Sequence, residues 1–296
     1  MGVPYKDAGF ELKFLGVMNG MSDSHTNAYF CPDDETLVFI DMSLYNYKKA
    51  TKLIDERAKV LRRVILFLTH MHVDHASGVV SLAYYVRGKF PDVRLEVVAG
   101  SYYVQDAYRM FYAESARPMI GRGGRRDEIM RIFGWALDKK ILVRWGDSVE
   151  LLVGQELIDE QYQFKVPEWF IKAIPTTHSP RLSGASGFVF ELNGKFVVYS
   201  GDTDTVDHFL AAAENYAAME ENRGPIVELY LDMEMNAVCN HPRWDNTRAM
   251  LLNFVRRARN VRIVLIHYDD AEALAREVEL FNAESGEQSL FMAEEA

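Results

Sequence analysis

Short apolar runs separated by turn residues dominate the first quarter of the chain. Three segments form a predicted β meander: Glu11–Val17, Asn27–Cys31 and Thr36–Asp41. A helix is predicted around Tyr45–Ala58. The next apolar run, Val64–Leu68, is short and begins with a β-branched residue, which indicates a buried strand.

The pattern becomes an alternation of strands and helices later in the chain. Asn193-Gly194 is a strong hairpin signal between two strands, Gly187–Leu192 and Lys195–Ser200. Further strands are predicted at Ile141–Val153, Phe170–Pro175, Ile226–Asp232 and Val261–His267. Further helices are predicted at Ser77–Phe90, Tyr102–Glu114, Val206–Glu221, Trp244–Arg259 and Ala271–Phe281. There are too many strands for a single small sheet, so we predict two packed sheets with helices outside.

We predict one domain over residues 1–296, because neither a repeat nor a low-complexity linker interrupts the chain. Its last dozen residues are polar and are expected to be loosely held. The first ten residues lack the apolar region of a secretory signal, and no run reaches the roughly 18 apolar residues of a membrane span. Cys31 and Cys239 are far apart and imply no disulfide framework. These features predict a cytoplasmic protein with reduced thiols.

The net charge changes which partners are expected. The chain has 33 Lys+Arg against 43 Asp+Glu, a formal net charge of -10. Long nucleic acids are bound through rows of Lys and Arg on the phosphates, so this charge argues against unaided binding of one. It also argues against docking on an anionic membrane.

Four side chains that bind metals fall within six residues directly after Val64–Leu68, in the sequence THMHVDH of residues 69–75. An extended backbone points His70 and His72 to one side, because they are two residues apart. Asp74 and His75 continue into the following turn and can face the same point. Three imidazoles and a carboxylate at a buried strand end would lose solvation without a ligand. The segment therefore predicts a metal site suited to zinc, iron or manganese.

Three further residues of the same kinds lie at the ends of predicted strands: His178, Asp202 and His267. Loops that carry active sites gather at such ends on a rigid scaffold. Together with the first cluster they supply seven ligands, which is enough for two metal ions.

This ordered set, His70-x-His72-x-Asp74-His75 followed by His178, Asp202 and His267, resembles the metallo-β-lactamase superfamily. The resemblance covers about Leu12 to His267 and implies an α/β fold, the four-layer αββα sandwich. It implies that His70, His72 and His178 bind a first metal and that Asp74, His75 and His267 bind a second, with Asp202 bridging them. The expected cofactors are two divalent ions, zinc first, with manganese and iron as alternatives.

Within the superfamily, the ribonuclease Z branch is the most similar. The features that carry this are the N-terminal KFLGV, the Gly-Asp-Thr after FVVYS and the late Asn240-His241-Pro242. That branch contains tRNA 3′-end nucleases and smaller phosphodiesterases. Ribonuclease Z itself usually carries a long tRNA-gripping arm between the residues that match His178 and Asp202. Here 24 positions separate them, which leaves no room for that arm and favours a small phosphodiester.

His241 is a candidate general acid, since a late His of the ribonuclease Z branch assists the leaving group. Asp232, at the end of VELYLD, is a candidate for orienting it. The alternative interpretations are a turn histidine and a solvated strand end. His25 lies in SDSHTN and is a candidate for contacting substrate, with a solvent-exposed loop histidine as the alternative.

Arginines supply further candidates for binding an anion. Arg122, with Arg125 and Arg126 in the glycine-rich loop Arg117–Arg126, could form a lid over the site. Arg181, three residues after His178, could reach a phosphate. In each case a surface role is the alternative.

These observations predict a metal-dependent hydrolase, most specifically a dinuclear phosphodiesterase that acts on a small or cyclic nucleotide-type phosphodiester. A metal-bridging hydroxide would attack phosphorus, and Asp74 would orient it. A thioesterase similar to glyoxalase II shares all seven ligands and is the first alternative. A protein that binds metal and ligand without turnover is the second, although the complete ligand set argues against it.

The charge of the site differs from that of the whole chain. Two divalent cations bring about +4, and Asp74, Asp202 and a hydroxide bring about -3, which leaves roughly +1 where a substrate would sit. The expected partner is therefore a small anionic substrate that enters the metal cleft without a long basic track outside it. The resemblance is also compatible with a homodimer.

Overall fold

Two β-sheets face each other across a shared apolar core in the computed structural model of the chain. The structure describes residues 12–100, 131–135, 142–144, 167–179, 184–218, 227–236, 241–258, 261–286 and 289–296. Within these ranges the first sheet has seven strands in chain order: β1 (Lys13–Gly16), β2 (Asn27–Phe30), β3 (Thr36–Ile40), β4 (Arg63–Leu68), β5 (Arg94–Gly100), β6 (Arg131–Trp135) and β7 (Leu142–Arg144). The strands from β3 to β6 are parallel, and the outer pairs are antiparallel.

The second sheet has six strands in the same described ranges: β8 (Phe170–Thr176), β9 (Ala185–Leu192), β10 (Lys195–Tyr199), β11 (Val227–Asp232), β12 (Val261–Ile266) and β13 (Leu290–Met292). They lie in the order β13-β12-β11-β10-β9-β8. The strands from β10 to β13 are parallel, whereas β8, β9 and β10 form an antiparallel meander. The predicted hairpin at Asn193-Gly194 joins β9 to β10.

Helices lie on the outer faces of the two sheets. Those after strands of the first sheet are α1 (Tyr47–Glu56), α2 (Val73–Ala76) and α3 (Val79–Lys89), and those of the second are α4 (Asp207–Ala218), α5 (Trp244–Arg257) and α6 (Ala271–Ser285). In the part of the chain that the structure describes, none of the helices combines the length and apolar character needed to cross a membrane. The predicted sandwich of two sheets between helical layers is confirmed.

The continuous apolar run of β4 is explained by burial on both faces. Ile65 and Phe67 point into the core between the sheets, while Val64, Leu66 and Leu68 point towards α1 and α3. Successive side chains of a strand alternate between faces, so a strand covered on both sides needs apolar residues at every position. The inter-sheet core is aromatic around Phe67, whose ring lies 4.9 to 6.1 Å from the rings of Trp169, Phe170, Phe188 and Phe190.

Two strands of the first sheet were missed in the sequence. β5 was overlooked because Glu96 interrupts its apolar run. In the structure that carboxylate is buried, and Arg63 of the neighbouring strand pairs with it at 2.5 Å. β6 is the other missed strand. The predicted helix Tyr102–Glu114 and loop Arg117–Arg126 lie outside the described residues, and of Ile141–Val153 the structure describes only β7.

The prediction of a loose C-terminal end is wrong for its described residues. Leu290–Met292 forms β13, which pairs in parallel with β12. The amide of Ala296 donates to the carbonyl of Phe14, and Glu295 forms an ion pair with Lys49 at 2.7 Å. The polar composition of this segment hid Leu290, which is fully buried.

Replacing Phe67 with Ala should destabilise the fold by about 3–5 kcal/mol, because it leaves a cavity among four aromatic rings at the centre of the sandwich. Urea unfolding measures this as a lower midpoint. Leu280→Ala is the matched control, since Leu280 is 58% exposed on α6. A Phe67→Ala midpoint equal to that of the control would contradict this account of the core.

Candidate metal centre

Residues 69–75 leave the end of β4 and enter α2. Thr69 and His70 are fully buried. His72 keeps an extended backbone, with φ -68° and ψ 157°, and immediately precedes α2. His70 and His72 therefore lie close together, with ring centroids 4.7 Å apart. Asp74 and His75 follow within the single turn of α2.

One group of ligand atoms forms around His70 and His72. The Nε2 atoms of His70 and His178 lie 3.0 and 3.1 Å from Nδ1 of His72. Oδ2 of Asp202 lies 3.6 Å from each of the same two Nε2 atoms. These four residues offer ligand atoms that all lie within 4.8 Å of one another.

A second group lies on the other side of Asp202. The same Oδ2 atom lies 3.2 Å from Nε2 of His75 and 3.4 Å from Nε2 of His267. Oδ2 of Asp74 lies 3.3 Å from Nε2 of His75 and 3.6 Å from Nε2 of His267. The structure thus brings together all seven residues that the sequence singled out as ligands, with one carboxylate oxygen of Asp202 common to both groups.

These distances fit divalent metal ions. Two atoms bound tetrahedrally at about 2.0–2.1 Å from one zinc ion are about 3.3 Å apart, close to the separations within each group. Among the described residues, Nε2 of His75 and of His267 are buried and have no hydrogen-bond partner. A buried imidazole nitrogen without a partner is costly, and a cation shared with Asp74 and Asp202 would compensate both atoms.

The electrostatic environment differs between the two groups. Burial, reinforced by the neighbouring His75, holds the pKa of His70 well below its ordinary value, and burial also lowers the pKa of His72. Both rings are therefore neutral, the form that binds a metal.

The carboxylates dominate the second group. Burial alone would lower the pKa values of His75 and His267, but the carboxylate of Asp202, with others nearby, raises both well above the ordinary value. Burial would likewise raise the pKa of Asp202, but the imidazoles of His267 and His75 bring it well below its usual range. Carboxylates that attract protons to these rings attract a divalent cation in the same way.

A buried carboxylate behind the centre, Asp41, fixes the tautomers of two ligands. Nδ1 of His75 donates to Oδ2 of Asp41 at 2.8 Å, and the Thr69 hydroxyl donates to the same oxygen at 2.7 Å. The Thr69 hydroxyl has one proton, so it accepts from Nδ1 of His70, 3.0 Å away. Both imidazoles are thereby protonated on Nδ1, which leaves Nε2 free to bind a metal.

Asp232 plays a comparable part on the second sheet. Nδ1 of His241 donates to Oδ2 of Asp232 at 2.6 Å, and Nδ1 of His267 lies 3.3 Å from Oδ1. The backbone amide of Thr203 also donates to Oδ2. Burial lowers the pKa of His241, but the carboxylate of Asp232 outweighs it and raises that pKa to about 9. The ring of His241 lies 4.7 Å from that of His178 and 4.8 Å from that of His267, at the edge of both groups.

Backbone strain is concentrated where strands end at the centre. Asp41 follows β3 with φ 62°, and His267 follows β12 with φ 57°. Non-glycine residues rarely adopt this left-handed region, and it persists where the surrounding structure holds it in place. Here the amide of Thr69 donates to Oδ1 of Asp41, and the amide of His267 donates to the carbonyl of Val17.

Of the three residues predicted to contact substrate, the structure describes only His25. His25 is buried, so its interpretation as a solvent-exposed loop histidine is wrong. Its ring packs edge-on against Tyr45 with centroids 4.6 Å apart, and burial lowers its pKa. Arg122 and Arg181 lie outside the described residues, so their roles stay predictions.

Two residues that position the candidate metal ligands were not predicted from the sequence. Asp41 follows an apolar strand in the same way as Asp202 and His267, and this signal could have identified it. Asn27 donates from Nδ2 to the backbone carbonyl of Asp74 at 3.2 Å and is fully buried. No local sequence pattern marks Asn27, because its partner lies far along the chain.

Replacing Thr69 with Val should weaken metal binding about 10- to 100-fold, because it removes the hydroxyl that connects Nδ1 of His70 to Asp41. Titration against a chelator of known affinity measures this change. Thr36→Val makes the same substitution at the other end of the first sheet and should bind metal as the wild type does. Equal affinity of the Thr69 variant and the wild type would show that the hydroxyl does not position the ligands.

No protein-family model matches the sequence, and no curated protein is similar enough in sequence to match it. Solved structures do match. The metallo-beta-lactamase fold protein YhfI from Bacillus subtilis superposes with a TM-score of 0.62 at 13% identity, over 97% of this chain and 97% of its own. Unliganded yeast PDE1 superposes with a TM-score of 0.60 at 11% identity, over 97% and 98% of the two chains.

A long-form RNase Z from yeast also matches, with a TM-score of 0.55 at 13% identity. The match covers 91% of this chain but 39% of the yeast protein. At identities this low, the three superpositions show the fold, and they agree with the arrangement of the two sheets. The chain has the metallo-β-lactamase fold.

Proposed function

We propose that the protein is a dinuclear metal-dependent phosphodiesterase that hydrolyses a small or cyclic nucleotide-type phosphodiester. The observation that carries this proposal is the position of Asp202. One of its oxygens lies within 3.2–3.6 Å of Nε2 of four histidines that belong to two groups. A carboxylate oxygen in this position could be shared by two metal ions.

His70, His72 and His178 would hold the first ion, and Asp74, His75 and His267 the second. Zinc suits these ligands, and manganese and iron are the alternatives. When bound, two divalent cations lower the pKa of a coordinated water and offset the charge on phosphoryl oxygens.

Asp74 is the residue best placed to orient the attacking water. Its carboxylate belongs to the second group and is more exposed than the others, with 12% of its side chain accessible against 3% for Asp202. The imidazoles around it keep the pKa of Asp74 below its usual range, so the carboxylate accepts a hydrogen bond rather than donating one. Asn27 fixes its backbone.

His241 is the residue best placed to protonate the leaving oxygen. Asp232 accepts the hydrogen bond from Nδ1, which directs Nε2 of the same ring away from the carboxylate. The ring lies beside His178 and His267, one from each group, and therefore next to the position where the scissile phosphate would lie. This position would allow His241 to act as the general acid.

Charge and space favour a small substrate. The hairpin of β9 and β10 occupies most of the 23 positions between His178 and Asp202, where a nucleic-acid-binding arm would be inserted. The chain as a whole carries a net charge of -10, which disfavours long nucleic acid. The similarity in fold to yeast PDE1 and yeast RNase Z supports a phosphodiester rather than a thioester.

His72→Ala should remove metal and phosphodiesterase activity together, because Nδ1 of His72 is central to the first group. Elemental analysis of the purified protein and hydrolysis of bis(p-nitrophenyl) phosphate, cyclic nucleotides and S-lactoylglutathione measure both. His208→Ala is the matched control, since His208 is exposed on α4. Turnover of the thioester alone by the wild type would replace the proposed activity with a thioesterase, and retained activity in His72→Ala would exclude the dinuclear mechanism.

His241→Ala should lower kcat about 10²- to 10⁴-fold and leave the metal content unchanged. The loss should be larger for a cyclic nucleotide, whose leaving alkoxide needs a proton, than for a p-nitrophenyl ester, whose leaving phenolate does not. Comparing kcat for the two substrates tests this. Loss of metal, or equal losses for both substrates, would mean that His241 is not the proton donor.

A further inference from the structure

Large apolar side chains are exposed beside the metal centre. Among the described residues the exposed large apolar side chains are Met21, Leu44, Tyr45, Val60, Val73 and Leu280. Four of these six lie in α2 or in loops that contact the residues of the candidate metal centre: Met21, Leu44, Tyr45 and Val73. We call these four residues the apolar rim. Exposed apolar residues that gather in one place mark a binding surface more often than scattered ones do.

Two residues of the apolar rim are close to Asp74 through their chain neighbours or their place in the sequence. Val73 directly precedes it in α2 and is 75% exposed. Met21 is 94% exposed and follows Gly20, which lies so close to Asp74 that an added Cβ would be 2.5 Å from Oδ2. Glycine is therefore needed where the loop from β1 to β2 passes the second group of ligands.

The other two members lie on the loop between β3 and α1. The ring of Tyr45, 60% exposed, packs edge-on against the buried ring of His25. His25 in turn lies within the electrostatic influence of Asp74 and His267. The amide of Leu44 donates to the hydroxyl of Ser77, which directly follows α2. All four members thus lie in segments that contact α2 or belong to it, and α2 carries two residues of the second group.

The loop that carries Met21 is held rigidly. The amide of Asn19 donates to the carbonyl of Tyr268, and its side chain donates to Glu234 at 2.9 Å. Oδ1 of Asn19 accepts from the amide of Met21 itself. A fully exposed thioether on a fixed loop contributes nothing to the core, but it provides a polarisable surface for an aromatic group.

We propose that the apolar rim binds the face of a planar aromatic group of the substrate, such as a nucleobase, beside the phosphodiester. This inference rests on the proposed function and specifies its substrate class. Tyr45 and Met21 offer the stacking and sulfur–aromatic contacts that such a group favours. Asp23 is exposed in the loop with Met21, which disfavours a second phosphate at this position.

A second copy of the chain is a less favourable occupant. Four exposed side chains offer on the order of 500 Å², whereas a stable interface buries about 800 Å² on each partner. A ring held next to a phosphate on the metal ions needs far less area, because the metal centre already fixes the rest of the molecule.

Two substrates with the same leaving group test the proposal: methyl p-nitrophenyl phosphate and phenyl p-nitrophenyl phosphate. The ratio of their kcat/KM values reports the contribution of the phenyl ring alone. Tyr45→Ser should reduce the preference for the phenyl ester about tenfold, in line with the loss of one stacking contact. Calorimetric titration of the metal-loaded protein with phenylphosphonate and methylphosphonate should show the same reduction in relative affinity.

Leu280→Ser is the matched control, because Leu280 is an exposed apolar residue of α6 outside the apolar rim, and its replacement should leave the ratio unchanged. Cleavage of both esters with an unaltered ratio in Tyr45→Ser and Met21→Ser would overturn the rim proposal and leave the phosphodiesterase proposal standing. Failure of the wild type to cleave either ester would overturn the phosphodiesterase proposal itself. A rim variant that changes the oligomeric state on size-exclusion chromatography, with the ratio intact, would assign the rim to an interface between copies and overturn its role in substrate binding.

Discussion

The attraction between buried carboxylates and buried imidazoles is the interaction on which the rest of the centre depends. Asp41, Asp202 and Asp232 are almost completely removed from solvent, and each faces at least one histidine. Removing a carboxylate from water costs several kcal/mol unless hydrogen bonds or a cation compensate it. The neighbouring imidazoles, whose pKa values are raised, compensate these carboxylates by carrying protons. Divalent cations between the two groups would provide the same compensation.

The fold explains why these residues meet. β3 and β4 are parallel neighbours in one sheet, and β11 and β12 are parallel neighbours in the other. The C-terminal ends of parallel strands lie along one edge. Asp232 is the last residue of β11, and Asp41, Thr69 and His267 directly follow the other three strands, so all four lie at strand ends of this kind. Residues far apart in the sequence thereby converge, and the aromatic core around Phe67 fixes the separation of the sheets that carry them.

The sequence was sufficient to single out the seven residues that converge in the structure and to predict most of the strands. His70, His72, Asp74 and His75 form a dense local pattern, and the other three ligands share a position after an apolar strand. Residues that support the ligands were harder to predict, since an Asp after a strand is also common in turns and Asn27 is defined only by its distant partner.

The remaining strand errors have a similar cause. β13 is three residues long and is recognised only when β12 lies beside it. The sequence alone would place Glu96 of β5 on a solvent-facing side of the strand. In the structure it is paired with Arg63 of the neighbouring strand. In both cases the stabilising partner belongs to a different part of the chain, and local patterns of polarity carry no information about it.

Asp232 links the two halves of the proposed mechanism. Its two oxygens face Nδ1 of His241 and Nδ1 of His267, so one carboxylate orients both the proposed proton donor and a proposed metal ligand. A cation on Nε2 of His267 would make its Nδ1 proton more acidic and draw charge from the shared carboxylate. The hydrogen bond from His241 would then weaken, and its ring would release its own proton more readily. The proton donor would thus be most effective when the second metal is in place, which ties leaving-group protonation to a fully assembled centre.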